Sequence, residues 1–471
     1  MADFDTSEKI YGSQLENGNL MPIKKLAERA FRPRTDNYKL QSEALEFWFK
    51  NSELMDHFLR KSKVEIQKLQ LSKIKRLVDN AYTNVPFYRE FYGAAGYEVG
   101  NISSFSDFEQ LPIVNKVLLN SFDASGRVDD PELLELANTS RTSGSSGKPF
   151  TVYSDNDDII LDHLQVLRFY NSCLKTPLQE NDWLYMLHHS GLAFSSLHGK
   201  YRTFQLPDLL PHTPLGEHLL FLRPRLLITL PSYLPLILQH KVELKMSGVE
   251  AILTNSETST QLERSYYSKA LDLPIFDEYS SEEIGMIAMQ CAYGQYHVVE
   301  DGVYLEIVDA DEHGFGTVVC TDLNNEFMPL IRFDHGDIAR KIANHKRCEC
   351  GSVCTSLDEV NGRRDDAFRN REQRLVPSAS ILAAVDEILV TPADKGLATF
   401  RLIQKGPETI ELLTHYVGAP YKTMAKILQQ LNERLSSLFG YPIVLLHREV
   451  DVLPEHKSYK RKSLVREWEL N

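Results

Sequence analysis

Residues 142–149 read Thr142, Ser143, Gly144, Ser145, Ser146, Gly147, Lys148 and Pro149. The two glycines allow a tight turn and a close approach of backbone to ligand, which exposes amide donors. Four hydroxyls add side-chain donors and Lys148 adds a point charge, a set that suits a polyphosphate. The stretch is not a P-loop. GxxxxGK[ST] needs glycine where Thr142 stands and a hydroxyl residue where Pro149 stands. A flexible linker has a similar composition, but the Lys-Pro ending and the strand-like FTVYS that follows favour a ligand loop between ordered elements.

Before the loop the chain reads as helical. QSEALEFWFK and HFLRKSKVEIQKLQLSKIKRLVDNAY space apolar residues three and four apart, and Pro86 ends that run. After the loop, LLITL, YLPLILQHKVELKM, VEAILTN, ETSTQLERSYYSKAL and LPIFDEY alternate strand and helix, the pattern of a layered domain with a largely parallel sheet. From Gly294 onward, YHVVEDGVYLEIVD and GTVVCTDL alternate apolar and polar residues around Gly-containing turns, as paired strands do. The last hundred or so residues read as a strand–helix–strand–strand–helix–strand unit. The expected class is therefore α/β. A large unit over 1–361, with a helical lead-in over 1–135 and layered sheets, precedes a small α+β unit of ferredoxin-like order over 362–471.

With 471 residues, 42% hydrophobic and 25% charged, the composition is that of globular proteins. A net charge of −13, from 52 basic and 65 acidic residues, argues against a nucleic-acid partner, which would call for a basic face. No stretch is apolar enough for a membrane span, the start lacks a secretory pattern, and six cysteines are too few for a disulfide framework. A soluble cytoplasmic protein is expected. The spacing Cys291-x5-His297 with Cys348-x-Cys350-x3-Cys354 fits either a tetrahedral zinc site or free thiols.

The loop TSGSSGKP resembles the phosphate loop of the acyl-adenylate-forming superfamily, and three further motifs recur in that superfamily's order. EYSSEEIG (278–285) is similar to its aromatic-and-acidic motif. This implies Tyr279 beside the adenine and Glu283 on Mg²⁺, with Glu282 as the alternative under a one-residue shift. PLIRFDHGD (329–337) implies Asp337 on both ribose hydroxyls. GRRDD (362–366) implies Arg363 as a ribose or phosphate contact and Asp365 as the hinge between a large adenylate-forming domain and a mobile small one. NVPFYREFY (84–92), LPIVNK (111–116) and MPLIRFDHGD resemble the phenylacetate–CoA ligase branch and its capsular-polysaccharide relatives. The Tyr-Ser-Ser-Glu-Glu form leans toward the latter.

The resemblance implies an ATP- and Mg²⁺-dependent ligase that activates a small carboxylic acid as acyl-adenylate. It also implies a catalytic lysine near the C-terminus. Lys460 matches best, with Lys457 and Lys462 as rivals and Tyr459 standing where a glycine is usual. The post-hinge stretch RNREQRLVP (369–377) contains no glycine, so the acceptor is open between CoA, an acyl-carrier-protein thiol and an amine. These missing glycines also admit a second reading, a non-catalytic nucleotide-binding relative that serves as an interaction module. The branch's Cys/His set implies a closed structural Zn²⁺ on Cys291, His297, Cys348 and Cys350, with Cys354 as substitute. A homodimer is the candidate assembly. Residues 183–204 and the SETST stretch (256–260) are the candidate walls of the acyl pocket.

Overall fold

The computed structural model describes residues 15–16, 19–20, 58–141, 150–179, 182–188, 191–196, 202–206, 215–312, 314–342, 348–364, 367–390, 397–416, 424–451, 453 and 462–468. Helix α1, Lys63–Asn84, opens on a capping box. Ser62 Oγ accepts from Glu65 N at 3.4 Å, and Glu65 Oε2 accepts from Ser62 N at 2.8 Å, which satisfies amides that a helix start leaves orphaned. Its buried face, Ile66, Gln70, Ile74, Leu77, Val78 and Ala81, keeps the helical period. Pro86 ends that helix and opens the next, α2 (Pro86–Ala94), at the first position, where no amide donor is needed. From α2, Tyr88 Oη donates to Pro329 O at 2.8 Å and accepts from Ile331 N at 3.0 Å, clamping the PLIRF segment.

Strand β1 (Val114–Asn115) pairs in parallel with Phe333 and Asp334, and α3 (Lys116–Leu119) follows it directly, capped by Asn115. Strands β2 (Asn138–Arg141) and β3 (Thr151–Ser154) pair antiparallel with Arg141 opposite Thr151, and α4 (Asn156–Ser172) begins at an Asp155 cap. Then come β4 (Trp183–His188), β5 (Gly191–Ser196), β6 (Arg202–Leu206), β7 (Leu226–Thr229), β8 (Ala251–Thr254), α5 (Gln261–Leu271) and β9 (Ile275–Ser281). They are followed by β10 (Gly285–Gln290), β11 (Tyr296–Val298), β12 (Val303–Val308), β13 (Phe315–Asp322), β14 (Phe333–Lys341) and β15 (Ser356–Arg363).

These strands form one 13-stranded sheet in the order β12-β13-β14-β15-β11-β10-β9-β8-β7-β4-β5-β6, with β1 beside β14. Only β4, β7, β8 and β9 are parallel to one another; every other pairing except that of β1 with β14 is antiparallel. The expected largely parallel sheet is thus confined to the centre. There, helical crossovers are long enough to return the chain in the same direction, whereas most connections beyond Ser281 join neighbouring antiparallel strands. Of the parallel strands, β7 and β8 are buried throughout, as strands covered on both faces are.

A separate four-stranded sheet follows a hairpin of β16 (Phe368–Arg369) and β17 (Leu375–Val376) and helix α6 (Ser378–Val385). Its strands are β18 (Leu397–Gln404), β19 (Thr409–Tyr416), β20 (Val444–Glu449) and β21 (Leu464–Arg466), in the order β20-β19-β18-β21, with α7 (Met424–Phe439) packed on them. On α7, Ile427, Leu431, Leu435 and Phe439 recur every four residues and are all buried. The ferredoxin-like expectation needs correction at one position. Among the described residues no sheet strand precedes α6, and the place beside β18 is taken by β21 from the end of the chain, paired in parallel.

The SETST stretch joins the two sheets' helices. Thr260 Oγ1 accepts from Glu263 N at 3.0 Å to cap α5 and donates to the buried Asp386 just past α6. Gly362, at φ +75°, lies against Thr258, whose Oγ1 would sit 3.0 Å from an added Cβ. A side chain there would meet both backbone strain and a steric block.

Candidate active site

The centre of the site is a buried acid. Asp337 lies on β14 opposite Arg363 of β15 and below Tyr279 of β9. Tyr279 Oη donates to Asp337 Oδ2 at 2.9 Å. His335 Nε2 lies 3.1 Å from the same oxygen and 3.0 Å from the tyrosine hydroxyl, and Arg363 Nη1 lies 3.7 Å from Oδ1. Burial alone would raise the Asp337 carboxyl. The His335 and Arg363 charges and the Tyr279 hydroxyl outweigh it and hold the group at about 2. Asp337 is therefore ionised at neutral pH, yet among the described residues no hydrogen-bond donor reaches its buried Oδ1. A carboxylate oxygen in that state is an acceptor site for an incoming hydroxyl.

His335 was missed by the sequence reading, although it stands inside the quoted motif. The signal was its period: Phe333, His335 and Asp337 alternate with Asp334 and Gly336 and share the buried face of β14. Arg332 of the same motif is structural. At φ +47° it donates from Nε and Nη2 to Glu306 at 3.0 and 2.7 Å, a buried bidentate pair.

Glu283 and Glu282 sit in the turn between β9 and β10. Glu283 is buried and ion-paired with Lys116 Nζ, and Glu282 accepts from Ser140 Oγ of β2. The acidic motif is thereby tied to the strand that leads into residues 142–149. Lys116 is the second residue that the sequence reading missed; it ends the quoted LPIVNK segment, but nothing in its spacing gave it a role.

Beside this turn a cleft of about 310 Å³ is lined by Ser140, Asp158, Asp162, Glu278, Glu283 and Asp322, among others. No lysine or arginine lines it among the described residues. Burial, reinforced by neighbouring carboxylates, pushes Asp158 up to about 9 and Asp162 to about 8. Glu278 rises to about 7 and Asp322 to about 6, with burial the largest cause for both. The candidates Thr142, Ser143, Gly144, Ser145, Ser146, Gly147, Lys148, Asp365 and Lys460 lie outside the described residues, as does the rival Lys457. Lys462 is described, and its carbonyl accepts from Arg401 Nε at 2.9 Å.

Away from the cleft, one donor atom each from Cys291, His297, Cys348 and Cys350 gathers within 4.8 Å of the others. Cys291 Sγ lies 3.6 Å from Cys348 Sγ, and Cys350 Sγ lies 3.1 Å from His297 Nε2. His297 Nδ1 is 2.9 Å from Ser356 Oγ, the kind of outer contact that orients an imidazole ligand.

No family model matches the chain. It is 26% identical over 350 residues to a phenylacetate-coenzyme A ligase of Thermus thermophilus, covering 69% of this chain and 77% of that protein. Over 151 residues, 32% of each chain, it is 25% identical to the Protein CapK of Staphylococcus aureus. Its fold matches 2-hydroxyisobutyryl-CoA ligase, solved in the postadenylation state with R3-HIB-AMP. That match has a TM-score of 0.66 at 17% identity and covers 85% of this chain and 90% of that one. The chain is similar in sequence to phenylacetate–CoA ligases and shares the fold of 2-hydroxyisobutyryl-CoA ligase.

The cleft acids make a pH test of the site's electrostatics. Asp158 stays protonated in the folded chain up to about pH 9, whereas in the unfolded chain it ionises near its ordinary value of ~4. The folded state thus binds more protons across that window, and its stability falls as pH rises. An Asp158→Asn variant has no proton to lose and keeps an acceptor for Asp155 N. Its melting temperature, relative to the unsubstituted chain, is expected to rise from near pH 4 to pH 8. A gap that does not change with pH contradicts the assignment.

Proposed function

We propose that the chain binds ATP with its ribose on Asp337 and converts a small carboxylic acid to an acyl-adenylate. The acid's oxygen forms a bond to the α-phosphorus, the bond to the β-phosphate breaks, and pyrophosphate leaves with the electron pair. The acyl group then passes to a thiol or amine, with AMP released. The observation that carries this reading is the ionised, buried Asp337 oxygen that has no hydrogen-bond donor among the described residues and faces Arg363. A carboxylate accepts two hydroxyls at once, which is what a ribose offers.

Around it, the paired ends of β2 and β3, between which residues 142–149 fall in the sequence, are tied to the Glu282–Glu283 turn by Ser140. The hydroxyls and backbone of Thr142, Ser143, Gly144, Ser145, Ser146 and Gly147, with Lys148, are suited to the phosphates, and Tyr279 to the base edge of the site. The carboxylate of Glu283 is the group that would hold Mg²⁺, which when bound would neutralise charge on the phosphates. Lys460 is the candidate to bring a further cation to the α-phosphate, carried by the small unit that we take to begin at 362 and to turn about Asp365.

CoA is the acceptor the relatives' names support. In this chain the turn between β16 and β17 holds Gln373 at φ +67°, a conformation that glycine adopts more readily. The six cysteines are all free, in keeping with a reducing, cytoplasmic setting, and no helix among the described residues is long and apolar enough to cross a membrane.

The donors Cys291, His297, Cys348 and Cys350 fit a structural Zn²⁺, since three sulfurs and one imidazole in tetrahedral reach leave no open position. The ion would fasten β10 and β11 to the segment before β15. Metal analysis of protein purified without added zinc is expected to find about one zinc per chain, falling sharply in Cys348→Ser. The absence of stoichiometric metal contradicts it.

ATP–pyrophosphate exchange across a panel of aryl, alkyl and amino acids tests the activity. Exchange with at least one acid is expected. Asp337→Asn should lower it by about 10- to 100-fold, the equivalent of weakening one or two charge-assisted hydrogen bonds. Nucleotide binding without exchange on any acid contradicts the ligase reading and favours the interaction module.

A further inference from the structure

Lys116 ends the LPIVNK segment without a role of its own there, yet the fold fixes it firmly. The backbone before it is tied to the strand that carries Asp337: Val114 N donates to Arg332 O at 2.9 Å, and β1 runs parallel to β14 at Phe333 and Asp334. Asn115 Oδ1 accepts from Val117 N and Leu118 N, both at 3.0 Å, so the helix that Lys116 opens has a set direction. From there its ammonium reaches the Glu283 carboxylate. The lysine side chain is 20% exposed and the glutamate 4%.

A buried carboxylate is accommodated far better with a cation beside it than alone. Lys116 is the cation paired with Glu283 among the described residues. The same carboxylate lines the cleft, and it is the group assigned above to a divalent cation. One carboxylate thus has two claimants, a tethered ammonium and an ion from solution.

We propose that Lys116 is a positioning residue of the nucleotide site that acts through Glu283. It keeps the carboxylate aimed before nucleotide arrives, and it competes with a divalent cation for that group, so that metal is held tightly only in company with the phosphates. The inference deepens the ligase reading and rests on it for the metal's purpose. The competition itself is a property of two side chains and can be measured without nucleotide or acid.

Mn²⁺ alone, titrated by electron paramagnetic resonance, reads the competition. The unsubstituted chain is expected to bind weakly at this site, and Lys116→Met to bind about tenfold tighter or more, because a buried countercharge has been removed. Lys116→Arg, which keeps the charge, should behave as the parent. The gain should vanish in Lys116→Met/Glu283→Gln, which separates Glu283 from the other cleft acids. If Lys116→Met folds poorly, its melting temperature in rising Mn²⁺ carries the same readout, since metal binding to the folded state restores stability.

Equal Mn²⁺ affinity in parent and Lys116→Met, no thermal rescue by Mn²⁺, or a gain that survives removal of Glu283 overturns the proposal. A chain silent in pyrophosphate exchange but showing the Mn²⁺ gain would overturn the activity while upholding the competition. The reverse pair of results would do the opposite.

Discussion

The site depends on keeping a carboxylate ionised inside the protein. Asp337 is buried, and burial opposes its charge; His335, Arg363 and Tyr279 overcome that opposition. Those groups come from β14, β15 and β9, which meet only through a particular strand order and register. A slip of one residue in β14 would turn Asp337 and His335 to the opposite face and bring Gly336 inward. Much of the surrounding structure guards against that slip. Tyr88 clamps residues 329 and 331 from the helical lead-in, and the buried Arg332–Glu306 pair locks the next residue.

This explains which parts of the molecule were legible in the sequence. Strand–helix alternation over 226–281 and the strands after Gly294 are local patterns, and the elements formed where the periodicity put them, although β11 and β12, on either side of Asp301 and Gly302, do not pair with each other. Pro86 and the four-residue spacing on α7 were equally direct. Sheet order is not local. The antiparallel pairing of β11 with β15 joins strands far apart in the chain, and β21 fills the edge of the small sheet from beyond a long interval. Three residues, Leu464–Arg466, are too few to show a period of their own.

The site divides in the same way. Tyr279, Asp337 and Arg363 came from motifs, and the structure brings the three together. The four zinc-type donors likewise converge, although 57 residues separate Cys291 from Cys348. Lys116 and the cleft carboxylates were invisible because their meaning lies in neighbours far along the chain. A lysine in LPIVNK is unremarkable until Glu283 is found against it, and Asp158, Asp162 and Asp322 are ordinary acids until burial groups them in one cleft. Stretch 256–260 shows the complementary lesson: read as a pocket wall, it also serves as a seat, with Thr260 bonded to Asp386 and Thr258 against Gly362.

The proposed role of Asp337 is to hold a sugar diol. A crystal structure of the chain with AMP measures this directly. Both ribose hydroxyls are expected within hydrogen-bond distance of the Asp337 carboxylate, with Oδ1 now accepting and the Arg363 guanidinium beside the ribose. A nucleotide bound elsewhere, with Asp337 Oδ1 still lacking a donor, would contradict it.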